Sequence, residues 1–222
     1  MSRIVVIGAG FAGLSAGAVL AARGHAVTIL EAAPTVGGLA CRTEAGGARI
    51  DLGPTILTDL APLRLLGERL GAPLSDLADL TRLDPGFLAT FPGGVAVPIH
   101  ADPGRMRSAA GILGPEAAAD WERFQDLGSR AFRLAAHYYA RGDLHSLRDF
   151  GAFVAGGGVA LRDVAPFLRH GSLAALLRAA VRTPALRGLF GHFSRLLGAE
   201  AEAAAAGSLV IPHLMTQLGV WY

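Results

Sequence analysis

The 222 residues include one cysteine, Cys41, and neither lysine nor asparagine. A lone cysteine excludes an internal disulfide framework and any CxxC redox or zinc site, and it is compatible with a reducing cytoplasm. With lysine absent, all 20 cations are arginine, which reads as the coding bias of a GC-rich genome rather than as function. The formal net charge is only +2, so charge gives no reason to expect a nucleic-acid partner, which would need a clustered basic face. No two of the seven histidines stand at i, i+4 and no HExxH occurs, so no metal is expected. No GxSxG occurs, so a hydrolase-type nucleophile elbow is absent as well. Charged residues make up only 17% of the chain and hydrophobic ones 52%, too little charge for disorder and ample apolar material for a core.

An uncharged apolar run near the N-terminus, the 19 residues Ile4 to Ala22 after Arg3, has the length of a signal peptide or membrane anchor. Gly8, Gly10, Gly13 and Gly17 interrupt it and argue for a different structure. Arg3 to Ile7 (RIVVI) is a β-branched run suited to a strand buried on both faces of a parallel sheet, stopped by Gly8-Ala9-Gly10. Phe11 to Arg23 follows at helical spacing, Gly24 ends it, and Ala26 to Leu30 (AVTIL) supplies a second strand running into Glu31. This is a βαβ unit with Gly8-x-Gly10-x-x-Gly13 at its first turn and an acidic residue 18 positions after Gly13, the full context of a dinucleotide-binding fingerprint. In that context Gly8 allows the tight turn, Gly10 and the backbone of Phe11 and Ala12 approach a pyrophosphate, and Gly13 lets helix and strand pack closely. The helix N-terminus offers free N–H groups and a positive dipole end to the phosphates. Glu31 would accept hydrogen bonds from the adenosine ribose and repel a 2′-phosphate, which fits FAD or NAD and not NADP.

A weaker strand is expected at Arg49 to Asp51, a helix from Ala61 to Leu70 capped by Gly71, and a hairpin from Phe87 to Ile99 turning at Gly93-Gly94. Beyond Pro103 the chain reads as helical, over about 115–140, 146–154, 160–180, 184–197 and 208–218. The texture changes near Pro85, which divides residues 1–85 from 86–222.

Gly37-Gly38, followed by Asp51-Leu52-Gly53-Pro54-Thr55, separates FAD from NAD. The run Ile4 to Thr58 resembles the phytoene desaturase-like carotenoid desaturases of the flavin-dependent amine oxidoreductase superfamily. In that group a second glycine pair after the acidic residue helps hold the flavin nucleotide, and an Asp-x-Gly-Pro-Thr segment lies near the flavin. The resemblance therefore implies FAD as cofactor, held by Gly8, Gly10, Phe11, Ala12, Gly13, Glu31, Gly37, Gly38, Arg42, Gly53, Pro54 and Thr55. Two departures bear on this: Leu39 replaces the usual basic residue after the glycine pair, and Arg42, slightly later, is the candidate to take over its phosphate contact. Looser landmarks are Gly114-Pro115-Glu116, Trp121 to Phe124, Ser146 to Asp149 and Gly219 to Tyr222. The resemblance covers the family's N-terminal half only. The implied architecture is α/β: a Rossmann-like FAD/NAD(P)-binding domain over 1–85 lacking its C-terminal segment, with a partial, mostly helical substrate and membrane-associating domain over 86–222.

Val164 to Ala199 contains no acid, while Arg169, Arg178, Arg182, Arg187 and Arg195 interleave with leucines and phenylalanines. Such a stretch suits either packed helices or contact with an anionic membrane surface. The resemblance favours the membrane, since a carotene substrate must be collected from a bilayer, and so implies a cytoplasmic protein peripheral to the membrane. The expected reaction is hydride transfer from an allylic C–H of a phytoene- or hydroxy/methoxyneurosporene-type polyene to flavin. No catalytic acid or base is nominated in this stretch. Cys41, beside the glycine pair, reads as small packing, and His25, His170 and His192 as isolated histidines. Two other readings are a flavin amine oxidase-like enzyme, which would need polar or acidic substrate groups, and a catalytically silent, truncated FAD-binding fragment.

Overall fold

The computed structural model describes residues 1–141, 151–152, 155–156 and 160–222. It forms two compact units, Met1–Leu83 with Val220–Tyr222, and Asp84–Gly219. The first unit opens with β1 (Arg3–Ile7), α1 (Phe11–Ala22) and β2 (Ala26–Leu30). The two strands pair in parallel, Arg3 opposite Ala26 through Ile7 opposite Leu30, as two β-branched runs joined by a helix do. Here β1 departs from the sequence expectation of burial on both faces. Val5 is 61% and Ile7 88% exposed, because the sheet has only two strands and side chains alternate between its faces.

An antiparallel hairpin follows, β3 (Arg42–Ala45) and β4 (Ala48–Asp51). Gly46 and Gly47 turn it, both with positive φ, as a two-residue type I′ connection requires. Next come α2 (Ala61–Leu70), ended by Gly71 in the left-handed conformation, and the short α3 (Leu74–Leu77). β5 (Arg82–Leu83) pairs with the last strand of the chain, Val220–Trp221, antiparallel.

The second unit holds the main core. Its hairpin is β6 (Phe87–Thr90) with β7 (Ala96–Ile99). The helices are α4 (Pro103–Ala110), α5 (Ala117–Arg141), α6 (Leu161–Arg169), α7 (Leu173–Ala180), α8 (Pro184–His192) and α9 (Val210–Gln217), and the final strand of the chain is β8 (Val220–Trp221) of the first unit. The expected helix over 146–154 falls mostly outside the described residues. The expected helix over 160–180 is two helices, since Gly171 interrupts it and Ser172 starts a new one by accepting the Ala175 N–H on its hydroxyl at 3.2 Å. Likewise the helix expected over 184–197 is α-helical only to His192 and continues as a 3₁₀ segment closed by Gly198 at φ +74°. α4 lies ahead of the first of those helices, its start marked by Asp102, whose side chain accepts the Arg105 N–H at 2.7 Å, with Pro103 behind it.

Phe124 stacks on Phe190 with ring centroids 3.5 Å apart, and Trp121 packs against both. Leu173, Leu176, Leu177 and Leu186 close the same cluster. The buried His213 meets Gln125, Nδ1 to Oε1 at 3.0 Å, and lies so close to Gly128 that a Cβ there would strike its ring. Burial lowers its pKa from 6.5 to about 4. The unfolded chain thus takes up a proton near 6.5 that the fold refuses until about 4. This contribution to stability is whole above pH 6.5 and declines as pH falls toward 4. Urea unfolding of the chain at pH 7 and pH 5 should differ by about 2 kcal/mol from this group, and His213→Gln should flatten that difference; an unchanged slope in the variant would show that the ring charges within the fold.

Candidate functional site

The turn from β1 into α1 is built from backbone. Gly8 has φ +98° and its N–H donates to Leu30 O at 2.7 Å, so the turn starts against β2. Gly13 faces back on that turn, and a Cβ on it would overlap the Gly8 carbonyl. Gly10 caps α1 without a side-chain hydrogen bond, and the first turn carries no acid. The first intrahelical bond runs from Leu14 N–H to Gly10 O at 2.9 Å. The N–H groups of Phe11, Ala12 and Gly13 therefore stand at a helix N-terminus with no capping side chain, the arrangement that receives an anion.

Glu31, just past β2, reaches back into this turn. Its Oε2 accepts the Ala9 N–H at 2.6 Å and its Oε1 the Ala33 N–H at 2.8 Å. The hydrogen bonds from Ala33, then Ala9, hold its carboxyl below the usual value even though the side chain is solvated. Each oxygen keeps a lone pair for a further donor, so the carboxylate is both aimed and available.

The second glycine pair lies on the first. Gly37 N–H donates to Ala9 O at 2.8 Å, and Gly10 and Gly37 form a parallel bridge. A Cβ on Gly38, itself at φ +59°, would stand 3.0 Å from Gly10 Cα, so two glycines are what permits the approach. Gly53 is held on the same segment: its neighbour Leu52 donates to Cys41 O at 2.9 Å, and a Cβ on Gly53 would overlap Leu39 O. Beside this lies a cavity of about 510 Å³ whose wall includes Phe11, Cys41, Arg42, Asp51, Pro54 and Thr55. Arg42 is paired with Asp51 across the β3–β4 hairpin, Nε to Oδ1 at 2.7 Å. A cradle that side chains would fill, uncapped N–H groups and an oriented carboxylate fit an adenine dinucleotide.

The NAD(P)-binding Rossmann-like domain family matches residues 6–66. Over essentially the whole chain, similar curated proteins are 4,4'-diapolycopene oxygenase of Methylomonas sp, 28% identical, covering 99% of this chain and 44% of that protein, and phytoene dehydrogenase of Streptomyces griseus, 29% identical, covering 100% and 43%. A third is 4,4'-diaponeurosporene oxygenase of Staphylococcus aureus, 25% identical, covering 99% and 43%. Along its length the chain resembles these oxygenases and this dehydrogenase. It spans less than half the length of the curated relatives it matches. The same fold occurs in a Pyrococcus furiosus protein, TM-score 0.59 at 16% identity over 100% of this chain and 44% of that one. It recurs in an oxidoreductase from Methanosarcina mazei, TM-score 0.53 at 18% identity over 100% and 45%.

The fold brings all twelve residues singled out from sequence into the first unit: Gly8 to Gly13 with Glu31 and Gly37-Gly38 around the turn, Arg42, Pro54 and Thr55 on the cavity with Phe11, and Gly53 behind Leu39. Sequence reasoning missed the opposite cavity wall, Asp79 to Thr81 with Trp221 and Tyr222. These join through Thr81 N–H to Tyr222 O at 2.7 Å, Tyr222 N–H to Thr81 O at 2.9 Å and the Arg82 guanidinium over the Trp221 ring. Thr81 and Tyr222 stand 141 positions apart, and no local spacing signals their pairing. Among the described residues no group of His, Cys, Asp and Glu could hold a metal.

Of the two readings of the arginine-rich stretch, packed helices describe most of its apolar side chains. Leu173, Leu176, Leu177, Val181, Leu186 and Phe190 are core residues. The exposed apolar side chains are instead Leu161, Leu168, Leu196 and Leu197. Among the described residues no helix is long and apolar enough to cross a membrane.

Proposed function

We propose that the chain contributes the FAD-binding segment of an oxidoreductase that desaturates a lipophilic polyene of the phytoene or hydroxy/methoxyneurosporene type. The observation that carries this reading is the second glycine pair lying on the first phosphate-type turn, with Glu31 tied to that turn through Ala9. The N–H groups of Phe11, Ala12 and Gly13 donate to the diphosphate, and Glu31 accepts from the adenosine ribose hydroxyls. A bound flavin supplies the acceptor for hydride leaving an allylic C–H. Arg42, Pro54 and Thr55 flank the flavin end, while Phe11, Leu57 and Trp221 line the cavity with apolar surface that excludes water. Met1–Leu83 with Val220–Tyr222 serves as the nucleotide domain, and Asp84–Gly219 as the part that takes substrate from a membrane. Exposed Leu196 and Leu197 beside Arg195 support contact with a membrane surface.

Titrating the purified chain separately with FAD, NAD and NADP, by flavin fluorescence and equilibrium dialysis, tests the reading. FAD should bind, and NADP should bind at least about tenfold more weakly because Glu31 repels its 2′-phosphate. Equal affinity for NADP, or no affinity for any of the three, overturns it.

A further inference from the structure

Within the second unit, α7, α8 and the residues after them line a separate, solvent-open cavity of about 390 Å³. Its small-residue lining is Ala174, Gly188, Gly191 and Ala201, joined by Leu177. Its polar lining is Arg178, Arg187, His192 and Arg195 against Glu200 and Glu202. Three guanidinium groups thus meet two carboxylates, and one carboxylate is already engaged: Arg195 pairs with Glu200 at 3.2 Å. Arg187 donates from Nη1 only to the Val181 carbonyl at 3.2 Å. Among the described residues Arg178 has neither an ion-pair nor a hydrogen-bond partner, although Glu202 lines the same cavity.

Gly188 is the second observation. Glycine inside a helix costs about 0.5–1 kcal/mol relative to alanine, and at Gly188 packing does not demand it, since a Cβ there would meet nothing within 4 Å. Its missing side chain leaves the cavity open beside the arginines. Two guanidinium groups without carboxylate partners, over a floor of small residues, suit a compact dianion bound by forked hydrogen bonds.

We propose that this cavity binds a phosphate group, presented either by a phospholipid headgroup or as free phosphate. The site lies within residues 174–202 and its test needs no flavin, so it stands or falls apart from the redox reading. The chain, Arg178→Gln and Gly188→Leu are compared, with circular dichroism confirming that each is folded. Arg178 is exposed, so its replacement leaves the core untouched. The probes are flotation with phosphatidylcholine vesicles, with and without phosphatidic acid, and the effect of inorganic phosphate on thermal unfolding. Expected is binding by the wild type on at least one probe, weakened about tenfold in each variant. Loss on the phosphatidic acid vesicles alone identifies a headgroup site, whereas loss of phosphate protection identifies a free-phosphate site. Variants that match the wild type on both probes, or a wild type silent to both, overturn the proposal.

Discussion

Replacing Asp120 by alanine should destabilise the second unit by about 3–5 kcal/mol, the range for a buried charge network that loses one member. Asp120 is fully buried on α5. Its Oδ2 accepts the Arg182 N–H at 3.0 Å, the Thr183 N–H at 2.6 Å and the Thr183 hydroxyl at 2.6 Å, and its Oδ1 pairs with Arg123. One carboxylate therefore fixes the turn between α7 and α8 to α5, beside the Phe124–Phe190 stack. Burial alone would raise its pKa, but the hydrogen bonds from Arg182, Thr183 and Arg123 outweigh it and hold the value at about 2. A group depressed from 3.8 to about 2 stabilises the fold fully above pH 3.8 and loses that contribution as pH falls to 2. Urea titrations at pH 7 should show the loss in Asp120→Ala, and Asp120→Asn should lie between, because it keeps an acceptor but leaves Arg123 uncompensated. A midpoint within error of the wild type would mean that the turn is held by packing alone.

Asp120 also marks the limit of the sequence reading. On a helix beginning Ala-Ala-Ala-Asp-Trp-Glu-Arg-Phe, a carboxylate next to other charges reads as solvent-facing, and its partners at 182 and 183 are about sixty residues away. Local order was legible where one residue type has one use. β-branched runs gave β1 and β2, glycine at Gly71 marked a helix end, and Gly93-Gly94 marked a hairpin. β3 was not legible, because Arg-Thr-Glu-Ala has no alternation and all four residues are exposed. Nor was the destination of the leucines near Arg178. Composition cannot tell a membrane-facing helix from one whose apolar side packs on α5, and here that side belongs to the core. Of the cavity, the wall formed by Arg42 to Thr55 followed from the family resemblance, while Asp79 to Thr81 and Trp221 depend on pairing across the first unit.

The other large effect is expected at Gly13, and two glycines on one helix separate packing from chemistry. A Cβ on Gly13 overlaps the backbone carbonyl of Gly8, which can move only if α1 lifts from the turn. A Cβ on Gly17 meets the Cδ1 of Ile29 at 2.8 Å, the end of a flexible side chain that can rotate away. Overpacking that must shift backbone costs about 1–3 kcal/mol, and a shift there also misaims the N–H groups of Phe11 and Ala12. Gly13→Ala should therefore lower FAD affinity on the order of 100-fold, whereas Gly17→Ala should change it by less than about threefold while costing some stability. Equilibrium dialysis with FAD, run beside thermal unfolding of both variants, reads the two effects separately. If both variants lose affinity in proportion to stability, α1 acts only as a packed helix; if Gly13→Ala alone loses it, the turn is where the nucleotide is held.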